Sequence, residues 1–161
     1  MFYFEKVPFE QFKIDCGALG FDDTTLIEIW DNIKLPQRAT QGSAGYDFFS
    51  PFELSLDNQW VVVPTGIRWV CDDNYVLLLV PRSGLGFKYG VHLRNTIGVI
   101  DKDYADAANH GHIMVKLAAE TECNVEAGKG FVQGIVVPFC IGEENAENLA
   151  IRTGGFGSTT R

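Results

Sequence analysis

The sequence has few cysteines, little positive charge and no long apolar run. Its four cysteines, Cys16, Cys71, Cys123 and Cys140, are scattered and form no CxxC pair. This spacing is poor for a zinc finger or a disulfide framework and predicts reduced thiols in a cytoplasmic protein. No apolar run reaches the roughly 18 residues of a membrane span, and the start of the chain carries charged side chains. We therefore expect neither a membrane anchor nor a signal peptide.

Basic residues are outnumbered by acidic ones. The chain has 13 Lys and Arg residues against 21 Asp and Glu residues, which gives a formal net charge of −8. This balance argues against broad binding to nucleic acid or to an anionic membrane. An anionic small substrate would need a local cluster of cations, and a bound divalent cation is expected to help. With 161 residues, the chain is long enough for one domain with a substantial core.

The first 25 residues differ in pattern from the rest and are predicted to form an N-terminal extension, residues 1–25. Pro8 is well placed to open a short helix that puts Phe9, Phe12 and Cys16 on one face. We expect this helix to cover part of the core. Nothing in these residues indicates a catalytic role.

From residue 26 onward the pattern is typical of β-structure. Short β-branched and aromatic runs alternate with turn residues, and no repeat or linker divides them. The sequence therefore predicts an all-β domain over residues 26–150, built as a sandwich, barrel or jelly roll, followed by a flexible segment over residues 151–161. The predicted strands are Leu26–Trp30, Trp60–Val63, Ile67–Cys71, Val76–Val80, Ile113–Leu117 and Gly134–Phe139.

Residues 81–86 carry groups that suit a phosphate. They follow the strongest predicted strand and combine the Arg82 guanidinium, the Ser83 hydroxyl and the flexible backbone at Gly84. A guanidinium and free backbone N–H groups bind phosphate oxygens well. A Ser-Gly turn after a strand is also common, so this segment alone is a weak indication.

Residues 95–104 combine an amide with a carboxylate. Asn95 can present a donor and an acceptor to a base, and Asp101 ends an apolar run where partial desolvation would suit a general base. The alternative is an Asx turn that caps a strand. Gln133, which enters the last long strand, has a similar ambiguity, because taken singly its amide is expected to bond only to backbone.

The final residues have the composition of a lid. Glycines at 154, 155 and 157 give mobility and leave backbone N–H groups open to an anion. Arg152 could clamp a phosphate, and Phe156 could stack on a base, which is worth about 1–3 kcal/mol. A frayed terminus is the alternative for a glycine-rich tail on its own.

Together and in this order, these segments resemble the five motifs of the homotrimeric deoxyuridine triphosphate nucleotidohydrolases (dUTPases). The resemblance extends from Lys34 to Thr159, and the order of the motifs makes it specific. It implies a dUTPase-like β-clip, which is a jelly-roll-like β-barrel. The matching segments are Ala44–Asp47, Pro81–Gly90, Asn95–Tyr104, Gly128–Gln133 and Arg152–Thr159.

The resemblance implies hydrolysis of dUTP to dUMP and pyrophosphate. Asp101 would activate the water that attacks the α-phosphorus, and Mg²⁺ would bridge the triphosphate with Asp47 contacting the ion only through water. Active sites would be shared between the subunits of a homotrimer. Phosphate contacts would come from Arg82, Ser83, Gly84, Gln133, Arg152, Gly157 and Ser158. Base and sugar contacts would come from Asn95, Gly98, Tyr104 and Phe156.

Two departures from the family pattern stand out. Gly130 occupies a place where the family normally has Arg or another polar residue, so a charge contact could be lost. Residues 105–110 form an insertion which, like the Phe-rich N-terminal extension, resembles a variant in dUTPases of some bacteriophages and low-GC Gram-positive bacteria. That variant implies the cytosol of a bacterium or of a phage-infected host.

Four alternatives stay open at this point. A dCTP deaminase resembles the same fold, although the strand over residues 111–117 lacks the Glu that a deaminase needs as proton carrier. A regulatory protein-binding module on a dUTPase scaffold is the second. Asp101, Asp103, Asp106, His110 and His112 could form a transition-metal site, although their spacing matches no known zinc motif. The insertion could also be an acidic docking surface for another protein.

Overall fold

Strands dominate the architecture. A computed structural model describes residues 1–72 and 74–142 of the chain. The strands are β1 (Phe2–Lys6), β2 (Gln37–Arg38), β3 (Gly45–Phe49), β4 (Leu54–Leu56), β5 (Val61–Pro64), β6 (Ile67–Cys71), β7 (Tyr75–Pro81), β8 (His92–Leu93), β9 (Gly98–Ile100), β10 (Met114–Ala118), β11 (Cys123–Val125) and β12 (Gly130–Pro138). The predicted all-β class is confirmed, and five of the six predicted strands occur within a few residues of their predicted bounds.

Helices are short and lie mainly near the N-terminus. They are α1 (Phe9–Asp15), α2 (Asp23–Asp31) and α3 (Ser83–Tyr89), with 3₁₀ helices at Gly17–Leu19 and Lys102–Asp106. The helix predicted after Pro8 is confirmed as α1, and it buries Phe12. In the part of the chain that the structure describes, no helix is long and apolar enough to cross a membrane.

The predicted strand Leu26–Trp30 is wrong, because these residues form part of α2. Asp22 caps this helix, and its carboxylate accepts the Thr25 N–H at 2.9 Å. Leu26 is buried and Trp30, four residues on, packs against the core, which is helical spacing. The alternating apolar pattern also fitted a strand, and the cap decides between the two. The helix crosses the predicted boundary at residue 25.

The largest sheet among the described residues has five strands in the order β2-β3-β12-β7-β9, with β12 at its centre. All neighbouring pairs are antiparallel. On β12, Gln133 lies opposite Asp47 of β3 on one side and Val80 of β7 on the other. On the far edge of β7, Leu79 lies opposite Gly98 of β9. This register decides which motifs meet.

The N-terminal residues are integrated into the fold. Strand β1, which was not predicted, pairs antiparallel with β6 along its whole length, with Phe4 opposite Trp69. Phe4 and Phe48 are in edge-to-face contact with ring centroids 5.5 Å apart. The core therefore includes side chains from the extension as well as from the β-domain. Its largest fully buried side chains include Trp69, Phe12, Phe48, Phe131, Leu56 and Leu77.

Candidate active site

A cavity of about 580 Å³ lies where β7 ends and α3 begins. Five residues predicted for phosphate or metal contact line it, and they come from three separate stretches of sequence. Strand pairing brings them together, because β3 and β7 both lie against β12. The five are Asp47, Arg82, Ser83, Gly84 and Gln133.

Arg82 is held in place by two contacts. Its Nε lies 3.1 Å from Oδ1 of Asp47, and its Nη1 donates to the Gly130 carbonyl oxygen at 3.2 Å. The guanidinium therefore lies close to the backbone at Gly130. A Cβ added at Gly130 would lie 2.8–3.1 Å from three atoms of the Arg82 side chain. Gly130 therefore gives Arg82 the space that it occupies.

Gln133 is fixed by a similar arrangement. Its Nε2 donates to the Pro81 carbonyl oxygen at 3.3 Å, across the β12–β7 pair. A Cβ at Gly45 would collide with the Gln133 amide oxygen. Gly45 and Gln133 both line the cavity, so the Gln133 side-chain amide can present a donor or an acceptor to a ligand there.

The start of α3 lines the cavity. The Arg82 carbonyl oxygen accepts the N–H groups of Leu85 and Gly86 at 3.0 and 2.9 Å. The preceding N–H groups, those of Ser83 and Gly84, belong to the first turn of the helix, where backbone donors have no partner within the helix. Gly84 has open space where a Cβ would be. Backbone N–H groups, a hydroxyl and a guanidinium are thus presented to one ligand volume, which suits phosphate oxygens.

Asp101 lines a different cavity, of about 620 Å³, together with Arg68, Lys102 and Phe139. In the β7–β9 register Ile100 lies opposite Leu77, so Asp101 falls near the start of β7 while Arg82 follows its end. Six residues of strand separate these two levels, which is roughly 20 Å at 3.3 Å per residue. One copy of the chain therefore does not bring Asp101 to the phosphate contacts.

Three of the predicted base and sugar residues, Asn95, Gly98 and Tyr104, lie in β9 or within a few residues of it, at the edge of the sheet beside β7. Asn95 is exposed at a tight turn in which Thr96 has a φ of 64° and the Ile97 N–H bonds to the Asn95 carbonyl oxygen at 2.6 Å. Gly98 is buried, and a Cβ there would lie 3.0 Å from Cβ of Leu79. Tyr104 is only 6% exposed, and its hydroxyl donates to the His112 carbonyl oxygen at 2.7 Å.

Comparison with known proteins identifies the family. The family model for dUTPase matches residues 31–160. The chain belongs to the dUTPase family. The Lactococcus lactis deoxyuridine 5'-triphosphate nucleotidohydrolase is 39% identical over 139 residues, which cover 79% of this chain and 88% of that protein. The Actinobacillus pleuropneumoniae serotype 5b protein of the same name is 37% identical and covers 80% and 89%.

Solved dUTPase structures have the same fold. The Streptococcus mutans dUTPase superposes with a TM-score of 0.64 at 30% identity, over 88% of this chain and 99% of that one. A dUTPase variant from phage phi11 of S. aureus, described with a structural Mg(II) ion, gives a TM-score of 0.61 at 22% identity, over 71% and 90%. The resemblance inferred from the five motifs is thus confirmed at the level of family and fold.

Four residues predicted for this dUTPase site lie outside the described residues. They are Arg152, Phe156, Gly157 and Ser158. Their roles stay predictions.

The transition-metal alternative finds no support. His112 is fully buried, and both of its ring nitrogens have partners, the Gly66 N–H at 2.8 Å and the Asp15 carboxylate at 2.5 Å. Across residues 1–72 and 74–142, no group of three or more His, Cys, Asp or Glu side chains is arranged to hold a metal ion. The hydrogen bond between His112 and Asp15 was not predicted from the sequence.

The Asp15 carboxyl has a perturbed pKa. Burial alone would raise this pKa, but hydrogen bonds from His112 and Gln11 outweigh burial and hold it below the ordinary value of 3.8. No short-range sequence signal predicts this pair, because 97 positions separate its members.

Proposed function

We propose that the chain hydrolyses dUTP to dUMP and pyrophosphate in a homotrimer whose active sites are shared between subunits. The observation that carries the proposal is the convergence of Asp47, Arg82, Ser83, Gly84 and Gln133 on one cavity. Each has the chemistry that a triphosphate requires, and each belongs to a motif of the dUTPase family. The hydrolase is favoured over the dCTP deaminase by the family match.

The phosphate half of the site works through charge and fixed dipoles. Arg82 would neutralise phosphate oxygens, while the N–H groups of Ser83 and Gly84 and the Gln133 side-chain amide would donate hydrogen bonds to phosphate oxygens at fixed positions. The contacts of Arg82 with Asp47 and Gly130 hold the guanidinium before substrate binds. This lowers the entropy that must be lost on binding.

The chemical step would be carried by Asp101. Its carboxylate would take a proton from a water molecule as that water attacks the α-phosphorus, and pyrophosphate would leave with the P–O bond electrons. General-base assistance typically contributes 10²–10⁴ in rate, on the order of 3–5 kcal/mol, so positioning and charge stabilisation must supply the rest. The turn at Asn95 and the backbone at Gly98 would select uracil, and Tyr104 would exclude a ribose 2′-hydroxyl.

The separation of Asp101 from Arg82 supports the shared site. Because these residues lie roughly 20 Å apart along β7, a second copy must bring its Asp101 to the phosphate cavity of the first. A closed ring of identical subunits repeats this head-to-tail contact at every site. Arg152, Gly157 and Ser158 of a further copy would then contact the phosphates, and Phe156 would cover the base.

The residues present fit a Mg²⁺ ion that binds with the substrate. Mg²⁺ usually takes one or two carboxylates together with substrate phosphates and keeps several waters. Asp47 lies in the cavity and would contact the ion through water. When bound, the ion would neutralise phosphate charge, which an acidic chain of net charge −8 requires. We expect the enzyme to act in the cytoplasm.

Pyrophosphate release tests the proposal. Purified protein with Mg²⁺ should release pyrophosphate from dUTP and far less from dTTP, dCTP or UTP. Asp101→Asn should abolish turnover and leave the melting temperature unchanged, because Asp101 is exposed. An active Asp101→Asn variant would refute the mechanism, and ammonia release from dCTP would favour the deaminase.

A further inference from the structure

The N-terminal helix α1 and the insertion over residues 105–110 meet at His112. This histidine follows the insertion and is fully buried. Its Nε2 accepts the Gly66 N–H at 2.8 Å, which requires the hydrogen of the ring to sit on Nδ1. Nδ1 therefore donates to Oδ2 of Asp15, the last residue of α1, at 2.5 Å. Gln11, one turn earlier, donates to the same oxygen at 2.8 Å.

The backbone of His112 holds Tyr104 from the other direction. The His112 carbonyl oxygen accepts the Tyr104 hydroxyl at 2.7 Å. The side-chain Nδ2 of Asn109, in the insertion, donates to the Tyr104 hydroxyl oxygen at 2.7 Å and reaches the same carbonyl at 3.3 Å. The Tyr104 hydroxyl is thus bound both as donor and as acceptor. A chain of hydrogen bonds runs from α1 to this ring.

The backbone at Gly111 packs closely against Tyr104 and Ala105. Gly111 has a φ of 69°, and a Cβ there would lie 2.7 Å from Cα of Ala105 and 2.9 Å from the Tyr104 carbonyl oxygen. Nη2 of Arg68 donates to the Ala105 carbonyl oxygen at 3.1 Å. The insertion is therefore packed closely onto the turn that carries Tyr104.

The Tyr104 backbone continues the link to the proposed general base. Its N–H donates to the Asp101 carbonyl oxygen at 3.1 Å, and its carbonyl oxygen accepts the Ala107 N–H at 3.1 Å. A displacement of the Tyr104 ring would therefore also displace Asp101, which directly precedes the 3₁₀ helix. Misplacement by about 1 Å is enough to cost on the order of a hundredfold in rate.

We infer that Asn109 and Asp15 are positioning residues that hold the Tyr104 ring at the depth needed to exclude a 2′-hydroxyl. The extension and the insertion then act together on Tyr104. Asn109 binds the Tyr104 hydroxyl, and Asp15 binds His112, whose carbonyl oxygen accepts the hydrogen bond from that hydroxyl. This inference rests on the proposed role of Tyr104 at the sugar. It assigns no substrate contact to Asn109 or Asp15.

Selectivity between dUTP and UTP separates positioning from simple stabilisation. Asn109→Ala should lower the ratio of kcat/KM for dUTP to that for UTP by about tenfold, the factor that corresponds to one hydrogen bond. Stability should change little, because Oδ1 of Asn109 is buried without a partner among the described residues and its removal offsets the lost bonds. Asn58→Ala, in an exposed turn, is the matched control and should change neither quantity.

Three further variants test the link between Asp15 and Tyr104. Asp15→Ala should lower the same ratio several-fold, whereas Asp15→Asn keeps an acceptor for His112 and should preserve most of it. In a Tyr104→Phe background, Asn109→Ala should have no added effect on selectivity, because its partner is gone. An unchanged ratio in Asn109→Ala, with or without a lower melting temperature, would overturn the inference. Asn109→Ala keeps the test open if Asp15→Ala does not fold.

Hydrogen exchange tests the link without substrate. Asn109→Ala should raise the exchange rates of the Tyr104 and Ala107 amides at least about tenfold while leaving β12 protected. Unchanged rates would overturn the link whether or not the protein turns over dUTP. If the wild-type protein fails to release pyrophosphate from dUTP, the proposed function is wrong and the role in selectivity is refuted with it. Faster amide exchange in Asn109→Ala would in that case still support the structural link between Asn109 and Tyr104.

Discussion

Substitution of Gly130 tests whether the position of the Arg82 side chain in the phosphate cavity matters for activity. A single methyl group at this position, as in Gly130→Ala, would lie 2.8 Å from Nη1 and 3.1 Å from Cδ and Cζ of Arg82. These distances are too short for carbon, so the guanidinium must move. The movement would break its bond to the Gly130 carbonyl oxygen and its ion pair with Asp47.

The size of the effect follows from the exposure of these groups. The Arg82 side chain is 41% exposed, so its ion pair with Asp47 is worth about 0.5–1 kcal/mol, and the bond to the carbonyl adds a similar amount. If these two contacts, together worth about 1–2 kcal/mol, no longer hold Arg82 for the transition state, kcat/KM should fall roughly five- to thirtyfold. Stability should hardly fall, because the flexible end of Arg82 can move aside and alanine restricts the unfolded chain more than glycine does.

Steady-state kinetics with dUTP and a thermal melt measure both quantities. Gly42→Ala, where a Cβ meets nothing within 4 Å, is the matched control. In an Arg82→Ala background, Gly130→Ala should have no further effect on kcat/KM. Normal activity of Gly130→Ala, or an equal loss in both backgrounds, would refute the role given to Gly130.

Three other predictions concern the tail, pH and thiol chemistry. Deletion of residues 152–161 should lower kcat/KM at least about tenfold and leave the melting temperature unchanged; full activity would refute the lid. The pKa of Asp15 is lowered on folding, so its contribution to stability is complete above pH 3.8 and is lost as the pH falls through the lower folded value. The free energy of urea unfolding of Asp15→Asn should therefore depend less on pH below 4 than that of the wild type. The same pH dependence in both proteins would contradict this. Burial, and secondarily Asp15, raises the pKa of the Cys16 thiol to about 12. Iodoacetamide at pH 8 should therefore label the exposed Cys140 and spare Cys16, which mass spectrometry can measure. Labelling of Cys16 in the folded protein would contradict its burial.

Local patterns predicted the strands well where one face is buried. Ile67–Cys71 alternates between core and partly exposed positions and matches its predicted bounds. Leu26–Trp30 shows the limit of the same signal, since its apolar residues fit both periods and the Asp22 cap selects the helix. Strand β1 was missed because its partner, β6, is far away in sequence.

The candidate site shows a similar division. Arg82, Ser83 and Gly84 are neighbours in sequence, so a short motif predicts their joint presence in one cavity. The roughly 20 Å between Asp101 and Arg82 depends on strand register, which no local pattern specifies. The room that Gly130 leaves for Arg82 likewise arises from strand pairing.

Subunit mixing tests the shared site most directly. Arg82→Ala should keep only a small residual activity and Asp101→Asn none, because each variant lacks one half of every site. If equal amounts are unfolded together and reassembled, about one site in four receives Arg82 from one copy and Asp101 from the next, and about a quarter of wild-type pyrophosphate release should return. A mixture as inactive as its components would contradict the shared site and require both residues to act within one chain.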